Sequence, residues 1–187
     1  MYIAGDIDFG TQYVVVGTPK VILGNGYKFI GGGKTTKNYA LGVQSAIDVQ
    51  INDLVLNGGG GIHVSAGANV EVNNVTLKVN YSASGRHMFY VNNATLTVNS
   101  GNYDVLRTGC KYFTLENNAL VYVKGGTFED MMAKDAEGPV RLNSGVLEIS
   151  GGKFQVGTAN YKFDPTPYLA DGYKAERVGN YMEVSAL

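Results

Sequence analysis

Five stretches of the chain, AIDVQINDLVL, ANVEVNNVTL, ATLTVNSGNY, ALVYVKGGTF and GVLEISGGKF, carry apolar and polar residues in one alternating frame. Their central aliphatics, Ile51, Val72, Val98, Val123 and Ile149, follow one another at intervals of 21, 26, 25 and 26 residues. Within a stretch the period is two: Ala68, Val70 and Val72 alternate with Asn69 and Glu71, and Ala94, Leu96 and Val98 with Thr95 and Thr97. This is the periodicity of a half-buried strand and not of a helix. A polar or glycine corner follows each of the last four anchors (Asn73-Asn74, Asn99-Ser100-Gly101, Lys124-Gly125-Gly126, Ser150-Gly151-Gly152), and a second short strand then ends in Leu77, Tyr103, Phe128 or Phe154. Gly and Asn accept the positive φ that such corners need. Short strands joined by bends and repeating about every 25 residues cannot bury their apolar side alone, so they must stack. The pattern predicts an all-β chain, a right-handed parallel β-helix (solenoid) of about six or seven coils.

The ends depart from the repeat, as the terminal coils of a solenoid must when they hide an open core. Residues 1–44 read as irregular N-terminal coils, with strands at Tyr13-Val14-Val15-Val16 and Val21-Ile22-Leu23 and a corner at Gly24-Asn25-Gly26; residues 45–157 read as regular coils, and 158–187 as a C-terminal cap. All belong to one domain. The closing segment contains Gly151, Gly152 and Phe154, then Asp164, Pro165, Tyr168, Ala170, Gly172, Tyr173 and Ala175, in the form GGxF followed by DPxxYxAxGYxA. With the coils from about residue 45 onward, it resembles the end of right-handed parallel β-helix proteins carried by gut bacteria and their phages. The resemblance implies surface-exposed or virion-associated appendages and adhesin-like modules, and it transfers no catalytic motif. On physical grounds the same residues make a cap, with Pro fixing a turn and Tyr168 and Tyr173 covering the last coil.

Composition narrows the function classes. With 26 Gly, four Pro and 44% hydrophobic residues, the chain has corners and a core, and disorder is not expected. Its 15 basic and 16 acidic residues give a net charge of −1 without a basic run, so no nucleic-acid footprint is present. The start, MYIAGDIDFG, lacks a basic segment followed by an apolar one, and no long apolar run follows. The chain as given therefore reads as neither self-exporting nor membrane-inserted. Cys110 is alone and reads as a buried structural thiol.

Stacking turns equal offsets into columns along the rod, about 4.8 Å apart, and chemistry is to be sought there. Six residues past the anchors the column reads Asn57, Lys78, Asp104, Glu129 and Gln155. Asp104 and Glu129, with Lys78, are the weak catalytic candidates: neighbouring carboxylates serve a retaining glycosidase as nucleophile and acid. Their alternative is a solvated outer face. The insertion 129–138, with Glu129, Asp130, Asp135 and Glu137, offers oxygen ligands for Ca²⁺ but no EF-hand spacing. His63 and His87 stand 24 apart with mismatched offsets and no third ligand, so no metal and no cofactor is expected. Gly33-Lys34-Thr35 ends like a phosphate loop, but Lys28 occupies the place of its first glycine.

Outward positions before the anchors are polar in two coils and then become Leu120, Tyr122 and Val146. If these point outward, they make an apolar seam for a homo-oligomer, a trimer being favoured, unless the 129–138 insertion or the cap covers them. The 13 Tyr and seven Phe, with no Trp, offer amphipathic faces, and Tyr13, Tyr39, Tyr81, Tyr90, Tyr112 and Tyr161 read as loop or near-loop residues. The expected function is a non-catalytic structural or binding module of a phage particle or bacterial surface appendage, on the virion or cell surface. It would present sidewalls and the loops 31–38, 80–86 and 129–138 to a surface glycan or virion protein. The alternatives are a polysaccharide lyase or glycosidase on the same scaffold, and a phage-encoded intracellular protein that sequesters a ligand.

Overall fold

The computed structural model of the chain describes residues 1–31, 39–79, 86–105, 110–129, 138–156 and 163–187, the side chain of residue 86 excepted. Most of the three presenting loops, Gly33-Lys34-Thr35, the acidic residues Asp130, Asp135 and Glu137, and Tyr81 and Tyr161 lie outside the described residues.

After a short strand β1 (Ile7–Asp8), the described residues form six windings of three strands. The first winding is β2 (Val14–Val16), β3 (Lys20–Leu23) and β4 (Lys28–Gly31), and the second is β5 (Leu41–Val43), β6 (Asp48–Asn52) and β7 (Val55–Gly58). The third is β8 (Ile62–Ser65), β9 (Asn69–Asn73) and β10 (Val75–Val79), and the fourth is β11 (Arg86–Asn92), β12 (Thr95–Val98) and β13 (Gly101–Val105). The fifth is β14 (Cys110–Glu116), β15 (Ala119–Val123) and β16 (Thr127–Glu129), and the sixth is β17 (Val140–Leu142), β18 (Gly145–Ile149) and β19 (Gly152–Gln155). A 3-10 turn (Thr166–Tyr168) and a hairpin of β20 (Tyr173–Val178) and β21 (Tyr181–Ala186) follow.

Every third strand stacks on the last, giving three walls. The first wall is β2-β5-β8-β11-β14-β17, the second β3-β6-β9-β12-β15-β18, and the third β1-β4-β7-β10-β13-β16-β19, extended by β21 and β20. Pairing is parallel throughout the windings, and only the hairpin runs antiparallel. The fold is a right-handed parallel β-helix.

The sequence anchors stand directly above one another: Ile51 pairs with Val72, Val72 with Val98, Val98 with Val123 and Val123 with Ile149, and Ile22 extends the column below. All six are fully buried. On the third wall the interior column runs Phe29, Leu56, Leu77, Tyr103, Phe128, Phe154, with ring centroids 4.8 Å apart from Tyr103 to Phe128 and again from Phe128 to Phe154. Each such side chain contributes about 1.5–3 kcal/mol of burial free energy, which makes the interior the main source of stability. The Tyr103 hydroxyl donates to the Ser100 carbonyl at 2.7 Å, and desolvation pushes its pKa well up. Room for that ring comes from glycine: a Cβ on Gly101 would lie 2.7 Å from the Tyr103 hydroxyl, and one on Gly126 would lie 2.9 Å from its ring.

Between the second and third walls the corner residues Asn25, Asp53 and Asn74 share a φ of 51 to 53°, a left-handed conformation that Asn and Asp tolerate. In the later windings positive φ moves one position on, to Gly101, Gly126 and Gly152. Beside them runs an asparagine ladder. Asn52 Nδ2 donates to the Ile22 carbonyl, Asn73 Nδ2 to Asn52 Oδ1 at 2.9 Å, and Asn99 Nδ2 to Asn73 Oδ1 at 2.8 Å.

The core is closed at both ends by chain. The N-terminal residues lie along β3, where the Met1 ammonium donates to the Val21 carbonyl and Ile3 N donates to Leu23 O. At the other end Phe163 packs on Phe154, Tyr168 stacks on Phe163, and Ala170 N donates to the Ile149 carbonyl at 2.9 Å. Tyr168 and Tyr173 pack against the core cluster. Two of the tyrosines read as loop residues are corrected: Tyr90 lies within β11 and Tyr112 within β14, where Tyr112 is buried near Phe128. The reason is that β11 and β14 run seven residues each and take in positions that the shorter repeat frame leaves outside.

Candidate functional site

The column six past the anchors forms on the outer face of the third wall. Lys78 pairs with Asn57 below and Asp104 above, and Asp104 pairs with Glu129, so the three catalytic candidates are neighbours in successive strands. What the sequence did not foretell is their fourth member. Tyr181, from β21, donates its hydroxyl to both Glu129 oxygens, at 2.8 Å to Oε1 and 2.9 Å to Oε2. That bond to Glu129, ahead of desolvation, raises the Tyr181 pKa. The bond clasps the Glu129 end of the column to the hairpin. Lys153 and Glu183, 3.0 Å apart, repeat the clasp one row away.

On the second wall, Leu120 pairs with Val146 and Tyr122 with Glu148, and all four belong to the outer rows. Val146 is 50% exposed, while Leu120 and Tyr122 are half-buried. The Tyr122 row begins with an apolar residue as well: Val21, 44% exposed, heads it and it continues through Gln50, Glu71 and Thr97, while the exposed Leu23 starts the next row, that of Asn52 and Asn73. Polar pairs fill the middle, Asn69 donating to Asp48 at 2.9 Å and Gln50 to Glu71 at 3.4 Å.

The first wall carries an arrangement that the sequence reading passed over. Its outer row runs Val15, Gly42, His63, Tyr90, Thr114, Arg141. Above it Tyr39 sits 4.7 Å from the His63 ring and 5.9 Å from Tyr90, His63 meets Tyr90 nearly edge-on at 4.9 Å, and His87 lies 5.4 Å from Tyr90. The two histidines thus reach one tyrosine from two windings, and over Gly42 the Gln44 side chain takes the space, its Nε2 3.1 Å from where a Cβ would stand. Polar groups ring the cluster. Gln44 Nε2 is 3.1 Å from His63 Nδ1, Thr114 Oγ1 is 2.7 Å from His87 Nδ1, and the Tyr90 hydroxyl donates to Glu116 Oε2 at 2.5 Å. Asn92 donates to the Tyr90 hydroxyl, and Asn143 to Glu116 Oε1 at 3.0 Å. Burial lowers the His63 pKa, and burial together with the Glu116 bond raises that of Tyr90. Nearby Lys111 and Thr114 are 4% and 1% exposed, and the Lys111 ammonium donates to the Gly138 carbonyl at 2.8 Å.

Among the described residues no three of His, Cys, Asp and Glu gather where a metal ion could bridge them, and no helix is long and apolar enough to cross a membrane. Cys110 is buried in β14. No family model, no curated protein and no solved structure matches this chain.

Proposed function

We propose that the protein is a non-catalytic binding and assembly module, a rigid rod whose walls are its contact surfaces. One observation carries the reading: the outer face of the second wall is apolar at both ends, with Val21 and Leu23 at the first winding and Leu120, Tyr122 and Val146 at the last two. An exposed apolar patch on an otherwise polar wall is a contact surface by its energetics. Copies of the chain side by side, in parallel around a threefold axis, bring like windings together. Apolar then meets apolar at both ends, and the polar pairs of the middle windings remain hydrated or bond across the seam. The cap meets this wall at Ile149, through Leu169 and Ala170. The resemblance of the closing segment to β-helix proteins of gut bacteria and phages supports placing such a trimer in a virion or surface appendage. Light scattering tests it: a mass of three chains, reduced to one by Leu120→Asp with Tyr122→Asp, is expected, and an unaltered monomer would remove the seam.

The enzymatic alternative rests on Lys78, Asp104 and Glu129 as neighbours. Assay of a broad polysaccharide panel separates the two: cleavage that disappears in Asp104→Asn and Glu129→Gln favours the enzyme, and no cleavage favours the module.

A further inference from the structure

The outer face of the first wall differs in kind from the other two. The third wall ties its outward Glu129 and Lys153 to the hairpin, and the second wall is apolar at its ends and polar between. The first wall instead sets aromatic rings from three consecutive windings against one another, half-buried, on the side of the sheet away from the core. A polar fringe held in place by hydrogen bonds surrounds them. We propose that this face is a sugar-binding site, with Tyr39, His63 and Tyr90 as the platform for a pyranose ring and Gln44, Asn92 and Glu116 as the fringe that takes its hydroxyls. The inference rests on the binding-module reading and names its ligand class.

The chemistry of a pyranose fits on three counts. It has an apolar face of C–H groups, which packs on an aromatic ring, and a rim of hydroxyls, each both donor and acceptor. The fringe keeps capacity for that rim. Each Glu116 oxygen accepts one bond, from Tyr90 or Asn143, and has a second lone pair; Asn92 and Gln44 each give one amide hydrogen to the network and keep another. The bonds that occupy the rest, Tyr90 to Glu116 and Asn117 to Asn92, fix these side chains before a ligand arrives. Fewer rotamers are then lost on binding. Windings also repeat about 4.8 Å apart, close to the length of one sugar unit, so a chain of sugars laid along the rod would set successive units over successive windings.

The chain's two histidines, His63 and His87, both lie on this face, so their ring signals in a proton NMR spectrum report on it without any mutation. Maltotriose, chitotriose, N-acetyllactosamine and sialyllactose are immobilised as probes, and the tightest binder is titrated into the unmodified protein. At least one is expected to bind and to shift the His63 signal. Tyr39→Ala, which lies outside the strand ladders, is expected to weaken that binding about tenfold with the solution mass unchanged. Binding that leaves both histidine signals in place overturns the site while leaving a binding module. If no probe binds but the chain still self-associates, the sugar inference falls and the assembly reading stands.

Discussion

Tyr181 reaches 52 residues back along the chain to hold both oxygens of Glu129. The bond spans the boundary between the parallel windings and the antiparallel hairpin, and with Lys153 and Glu183 it fixes the register in which β21 joins the third wall, with β20 beyond it. A parallel solenoid needs such a stop, because an open strand edge invites pairing with other chains. Tyr181→Phe removes the forked bond and keeps the ring. Urea unfolding is expected to show a loss of about 1 kcal/mol, a modest figure because the site is near solvent. Ultraviolet titration of the wild type should show one more late-ionising tyrosine than the variant, beside Tyr90, Tyr103 and Tyr168, which burial also holds up. The stability tied to this raised pKa is present below the ordinary tyrosine value of 10.0 and is lost as pH rises through the folded one.

The asparagine ladder carries a second expectation. Asn73 donates to Asn52 and accepts from Asn99, so it holds the middle of a chain of amides beside the corner. Asn73→Ala breaks both bonds and is expected to cost about 1–3 kcal/mol in urea unfolding. Asn73→Asp can still accept from Asn99 but sets a carboxylate oxygen against Asn52 Oδ1, and it should cost more than Asn73→Ala at neutral pH. Equal stability of all three proteins would show that water replaces the ladder.

Inside the rod, Phe128 stacks between Tyr103 and Phe154 and touches Phe113 and Tyr112. Phe128→Ala leaves a cavity that rings on four sides cannot fill. The expected loss is about 3–5 kcal/mol, measured by chemical denaturation, against less than about 1.5 kcal/mol for the volume-conserving Phe128→Met.

His63 gives the pH dependence. Its pKa is lowered by burial, and Gln44 Nε2 at 3.1 Å makes Nδ1 an acceptor, so the neutral ring is the one the fold accommodates. The unfolded chain takes up its proton near the ordinary value of 6.5, before the folded chain does. Stability should therefore be full above that value and should decline as pH falls from there to the folded pKa. The His63 ring signal should titrate below 6.5. In His63→Gln the decline over that window should flatten.

Much of this fold was readable in the residues, and what was not has a physical cause. The second and third walls were legible because the corner between them has constant length in the regular coils. Ile51, Val72, Val98, Val123 and Ile149 therefore fall in register, and a fixed offset from them finds Lys78, Asp104 and Glu129. The first wall follows connections of unequal length. His63, Tyr90 and Thr114 stand in one row, yet the steps between them are 27 and 24 residues, and His87 enters the cluster from outside that row. Offsets counted from the second-wall anchors thus kept His63 and Tyr90 apart. Tyr181 was invisible for another reason: its partner is reached by an antiparallel return, which no repeat period encodes.

The seam on the second wall is the claim on which the functional account turns. Light scattering of the purified protein at neutral pH should give three times the single-chain mass, and Val146→Asp or Leu120→Asp with Tyr122→Asp should give the single-chain mass with the same β-rich circular dichroism. A wild type that runs as one chain at every concentration tried, or a trimer that these substitutions leave intact, would contradict it.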